Sequence, residues 1–116
     1  LDNDGEIAVN PVFAKPKPQH YNYDMWEGIE YEIRVSEPFG SRVRHITYHG
    51  KPLKEDQTYH VVLNNYRASG GGNFKMFQQK PIVKEIQKDM VELIREYFEK
   101  YETVTATVQE NFAVKK

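Results

Sequence analysis

A chain of 116 residues with 16 Lys and Arg against 17 Asp and Glu is one modest domain at most. Its net charge of −1 gives no electrostatic support to coating a nucleic-acid polymer or lying on a membrane surface. Cysteine is absent, which excludes disulfides, thiolate nucleophiles and cysteine-ligated zinc while leaving the compartment open.

Residues 1–20 hold Pro11, Pro16 and Pro18 with little apolar patterning, so they read as an extended arm or linker. Asp2-Asn3-Asp4-Gly5 has the start of a calcium loop but not its later ligands, and reads as a polar turn. No signal peptide is visible, and a start at Leu1 reads as an excised piece. No apolar run approaches the roughly 20 residues that span a bilayer, so this segment is expected not to insert into a membrane.

Tyr21 to Trp26 concentrates aromatics, and Trp26 reads as a packed edge of the core. Ile29, Tyr31, Ile33 and Val35 alternate with Glu30, Glu32 and Arg34, the period of a strand with one buried face. Pro38 and Gly40 mark a turn. Arg42 to Tyr48 reads as a second strand, with a bulge near Arg44-His45 because Val43 and Ile46 break the alternation. His49-Gly50-Lys51-Pro52 turns again, and Thr58 to Asn64 is expected to be a third strand. After Pro81, Ile82, Ile86, Met90, Leu93, Ile94 and Tyr97 recur at helical spacing and predict a long amphipathic helix over about Val83–Tyr101. Val104–Val108 and Asn111–Val114 offer short extended pieces. The predicted fold is α+β: a mostly antiparallel sheet packed against this C-terminal helix.

Between the third predicted strand and the helix lies Asn64-Asn65-Tyr66-Arg67-Ala68-Ser69-Gly70-Gly71-Gly72-Asn73-Phe74. An aromatic, a guanidinium and a run of bare amides at a strand end suit a planar, anionic ligand, because glycine lets a ligand or another backbone come close. The same residues also read as a plain flexible turn. Neither a Walker loop nor a G-x-G-x-x-G fingerprint is present.

Other chemistry is weaker. His45 and His49 lie on a strand and its turn, and His20 and His60 have no ligand-like spacing to them, so no metal site is expected in this chain. Ser69, His60 and Asp56 form a catalytic trio only on paper, since Ser69 lacks a G-x-S-x-G context. No catalytic residue is assigned.

The loop from Asn64 to Phe74 resembles the substrate loop of the C-terminal domain of the 5′-nucleotidase family. Tyr21-Asn22-Tyr23-Asp24, Glu27-Gly28-Ile29-Glu30-Tyr31, Gly50-Lys51-Pro52-Leu53 and Thr58-Tyr59 recur there in the same order. The likeness runs from about Pro16 to the end and is nearest to the branch of bacterial 2′,3′-cyclic-nucleotide 2′-phosphodiesterase/3′-nucleotidases. Where the 5′-nucleotidase branch carries an aspartate after the paired glycines, this chain has Gly72.

That resemblance implies a partial, N-terminally truncated substrate-binding domain over 21–116. Tyr66 would stack on a nucleobase, with Asn65, Arg67, Gly70, Gly71 and Gly72 as its substrate-binding neighbours. The family's second stacking aromatic and phosphate-contacting arginines precede this region, so half a site is expected here. Its partners would be a nucleotide or nucleoside and a missing N-terminal metallophosphoesterase domain, which would hold the divalent metal ions. The full protein would be a secreted, periplasmic or cell-wall hydrolase, and this piece alone would be inactive. The competing reading is a non-catalytic binding module of a bacterial surface protein.

Overall fold

The computed structural model describes residues 1–11 and 22–116. The chain divides into two compact units, one of residues 1–58 with 109–116 and one of residues 59–108. It is a small α+β protein with a four-stranded sheet and one main helix.

The first unit holds the sheet. Strands β1 (Ile29–Arg34) and β2 (Val43–Tyr48) pair antiparallel where the alternating patterns predict them. The pairs Glu30↔Thr47 and Glu32↔Arg44 leave one extra residue on β2, and His45 there takes a left-handed φ of 52°. This is the bulge expected near Arg44-His45. Strand β3 (Lys51–Pro52) folds back on β2 through His49-Gly50, whose φ values of 50° and 71° are those of a tight two-residue hairpin turn.

A fourth strand, β4 (Phe112–Lys115), runs parallel to β1 and gives the order β3-β2-β1-β4. Two of the three pairings are antiparallel, and the β1–β4 pairing makes the sheet mixed. Asn111 anchors the entry to β4 by donating its side-chain amide to the carbonyls of Trp26 at 2.6 Å and Ile29 at 2.9 Å. Phe112 stacks on Tyr31 at 5.4 Å between ring centroids. Tyr31 is the buried hydrophobic residue among those described, and with Trp26, Ile29, Ile33, Val43 and Ile46 it lines an apolar trough of about 330 Å³.

On the opposite face the alternation predicts a solvated Glu32, yet it is buried. Its carboxylate accepts from Lys115 Nζ on β4 and from Arg34 Nε, each at 2.5 Å, and His45 Nδ1 lies 3.7 Å away. The Lys115 hydrogen bond, ahead of that from Arg34, holds the Glu32 carboxyl down at about 2 against the opposing effect of burial. A buried charge persists when it is paired and hydrogen-bonded in this way.

Near the start of the chain, the Asp2 carboxylate accepts the amides of Asp4 and Glu6 at 3.0 and 2.8 Å, closing the expected polar turn. Of the predicted arm, residues 12–20 lie outside the described residues, as does Tyr21.

The second unit departs from expectation twice. Residues 58–64 form no strand: β-branched Val61 and Val62 are exposed and have no ladder to join among the described residues. Helix α1 (Asn65–Ala68) follows directly, and then helix α2 (Met90–Lys100), which begins seven residues after the predicted Val83. Asp89 sets that start, since its carboxylate accepts the Glu92 amide at 2.7 Å, the arrangement of an N-cap. Residues 83–88 follow the helical period, but no cap lies ahead of them. The helix therefore opens at Asp89. Ile94, Tyr97 and Phe98 on α2 are half exposed.

Candidate functional site

The glycine-rich loop is built on local hydrogen bonds that the side chains of its own sequence supply. Asn64 caps α1 by accepting the Arg67 amide at 2.9 Å, and Asn65 Oδ1 accepts the Tyr66 amide at 2.9 Å. This capping fixes the start of α1 at Asn65. Ser69 Oγ donates to the Tyr66 carbonyl at 2.9 Å, so the hydroxyl serves the turn and not a nucleophile's role.

Gly70 then takes a φ of 86°, where a side chain is strained. Gln78 Nε2 reaches back to the Ser69 carbonyl at 2.9 Å, and its side chain lies so near that a Cβ on Gly70 would meet it at 2.7 Å. Residues Gly71–Asn73 and Lys75–Phe77 form two short 3-10 turns, and the rings of Phe74 and Phe77 lie parallel at 6.2 Å.

Tyr66 lies against Gly71. A Cβ there would fall 2.5 Å from Cε2 and 2.6 Å from Cδ2 and Cζ of the ring, which is possible only because the residue is glycine. Tyr66 nevertheless remains 51% exposed. Arg67 is the opposite, at 7%. Its Nη1 donates to the Gly71 carbonyl at 3.0 Å, and its Cζ stands 4.3 Å from the Phe74 ring centroid and 5.5 Å from that of Tyr66. Both separations are within cation–π range.

Of the six residues singled out from sequence, Tyr66, Arg67 and Gly71 are thus brought into mutual contact. Asn65 is exposed beside them, and Gly70 and Gly72, the latter with a φ of 69°, shape the turn. Sequence reasoning missed Asn64, Phe74 and Gln78. A cap signal was available in Asn64 ahead of a short polar-aromatic run, and Phe74 closes the glycine run, but no local pattern marks Gln78. Among the described residues no group of three or more His, Asp or Glu could hold a metal ion.

The sequence profile of the 5′-nucleotidase C-terminal domain matches residues 8–79, which include the whole loop. This chain belongs to that family. The 5′-nucleotidase C-terminal domain match stops short of α2 and β4. The trifunctional nucleotide phosphoesterase protein YfkN of Bacillus subtilis is 30% identical over 106 residues, which is 81% of this chain and 7% of that protein. A 2′,3′-cyclic-nucleotide 2′-phosphodiesterase/3′-nucleotidase of Salmonella typhimurium is 36% identical over 63 residues, covering 44% of this chain and 10% of that protein. A crystal structure from Staphylococcus aureus, assigned as a 5′-nucleotidase and solved with α-ketoglutarate, matches the whole chain with a TM-score of 0.89 and 37% identity. The chain covers 22% of that structure and a tenth or less of these two curated relatives. A 5′-nucleotidase C-terminal domain of this kind is a small part of a much longer polypeptide in each relative.

Proposed function

We propose that this domain recognises the nucleobase for a hydrolase acting on 2′,3′-cyclic nucleotides and 3′-nucleotides, with Tyr66 as the stacking residue. The observation that carries this reading is the Tyr66 ring, backed by Gly71 and still half exposed. A tyrosine recruited to a core would be covered. A ring supported by backbone and open to solvent offers a π-face to any base, a contact worth about 1–3 kcal/mol per base. Asn65, Gly70 and Gly72 border that ring in sequence, and Gly72 stands where the 5′-nucleotidase branch carries a carboxylate.

Divalent metal ions implied by the family resemblance would be held by a separate metallophosphoesterase domain, since no described residues here form a ligand set for them. When bound, such ions supply the activated water for phosphate-ester hydrolysis. This chain's part is to bind and orient the base while phosphate is attacked elsewhere. The names of the relatives support a nucleotide phosphoesterase, and the family resemblance favours an exported, periplasmic or cell-wall protein. No helix among the described residues is long and apolar enough to cross a membrane.

Steady-state kinetics of the full-length protein on 2′,3′-cyclic AMP test the reading. Tyr66→Ala should raise KM roughly tenfold, since 1.4 kcal/mol is a factor of ten. The change in kcat should be smaller, because the base is held alike in ground and transition states. Tyr66→Phe keeps the ring and should behave as the wild type. An unchanged KM in a folded Tyr66→Ala protein would remove the base-stacking role and favour a non-catalytic binding module.

A further inference from the structure

Arg67 follows the proposed stacking residue directly, and from sequence it reads as a contact for an anionic ligand. Its surroundings point to another task. The residue is 7% exposed, its Nη1 is committed to the Gly71 carbonyl at 3.0 Å, and its guanidinium carbon lies 4.3 Å from the Phe74 ring centroid. At that exposure little of the guanidinium is open to a phosphate arriving from solvent. Removing a guanidinium from water is costly unless hydrogen bonds and rings replace the lost solvation, and both do so here.

The carbonyl that Arg67 holds belongs to the residue on which the Tyr66 ring rests. The contacts therefore run in sequence from Phe74 to the Arg67 guanidinium, to the Gly71 backbone, to the Tyr66 ring. We propose that Arg67 is a positioning residue that fixes the orientation of the Tyr66 ring through Gly71 and does not contact the substrate phosphate. This rests on Tyr66 being the base-stacking residue.

The two roles separate cleanly when a nucleoside is compared with its nucleotide. A residue that grips phosphate matters for the nucleotide alone. A residue that orients the stacking ring matters equally for both. Lysine distinguishes them again: it serves as a point-charge phosphate contact but cannot reproduce the planar guanidinium between ring and carbonyl.

Calorimetric titration of the full-length protein in EDTA with adenosine and with adenosine 3′-monophosphate provides the test. Arg67→Met and Arg67→Lys should each weaken both ligands by the same factor, roughly five- to thirtyfold, within the range of a lost base-stacking contact. Gly71→Ala leaves Arg67 in place and should give the same parallel loss, because its methyl group would drive the ring off its support. Gly71 has no positive φ, so alanine is tolerated by the backbone there. This variant keeps the proposal testable should the Arg67 variants fail to fold.

A loss confined to the nucleotide, or recovered by lysine, overturns the proposal in favour of a phosphate contact. Unchanged affinity for both ligands in Arg67→Met, or in Gly71→Ala, overturns it as well. If the wild-type protein binds neither ligand, the base-recognition reading falls and takes this inference with it. Binding by the wild type that is insensitive to Arg67 sinks the inference alone.

Discussion

Lys115 Nζ lies 2.5 Å from Glu32 Oε2, a bond between side chains 83 residues apart that fastens β4 to β1. It makes the last strand of the chain sensitive to acid. The folded Glu32 carboxyl titrates at about 2, below its ordinary 4.5. Between those values the folded chain holds fewer protons than the unfolded one, so the contribution is complete above 4.5 and is lost as pH falls toward 2. Thermal melts across that window should show stability declining with pH. Glu32→Gln should lower the melting temperature at neutral pH and flatten the decline. Parallel curves for the two proteins would show that Glu32 contributes nothing to it.

Gly70 should be the least replaceable glycine of the loop. Its φ of 86° costs a non-glycine residue about 1–2 kcal/mol. An added Cβ would also meet the Gln78 side chain at 2.7 Å. Gly70→Ala is expected to destabilise by at least the backbone cost, and Gln78→Ala in the same chain should relieve the steric part only. Urea denaturation of the two single variants and the double variant measures that partial rescue. Complete recovery in the double variant would mean that the φ carries no penalty.

Helix α2 has 11 residues, fewer than the roughly 12–15 at which even good helix-forming sequences become stable alone in water. Its Asp89 cap should therefore matter. Asp89→Ala is expected to cost about 0.5–2 kcal/mol and to reduce the helical circular dichroism signal, whereas Asp89→Asn should retain most of both. A signal unchanged in Asp89→Ala would show that tertiary contacts alone hold the helix.

The chain by itself should not hydrolyse bis-p-nitrophenyl phosphate, 2′,3′-cyclic AMP or 3′-AMP when Mn²⁺, Mg²⁺ or Zn²⁺ is added. Its described residues hold no ligand cluster for such an ion. Turnover that a chelator abolishes, in protein purified free of other phosphatases, would establish a hydrolytic centre within this chain.

The first two strands were legible because β1 and β2 pair with each other through a short turn, so local alternation carried most of the relevant information. His49-Gly50 was legible for the same reason, as a turn whose backbone demands are met within two residues. Thr58–Asn64 has the same β-branched composition but no partner strand among the described residues, and composition cannot supply one. The helix start was displaced because periodicity continues through 83–88, whereas initiation depends on one carboxylate, Asp89. Glu32 read as a solvated charge and Arg67 as a contact for an anionic ligand, because no local pattern announces Lys115 or Phe74 as their neighbours in space. The Tyr66 loop stood out through its glycines, and the inward turn of Arg67 did not.

The parallel pairing of β4 with β1 has a consequence for the order of events during synthesis. Residues 109–116 complete the unit begun by residues 1–58, and the 50 residues between them form the other unit. Until residues 112–115 have been synthesised, one edge of β1 lacks the strand that covers it. An open edge of that kind is a template for pairing with another chain. The nascent sheet is thus open to misassembly along β1 until β4 has emerged.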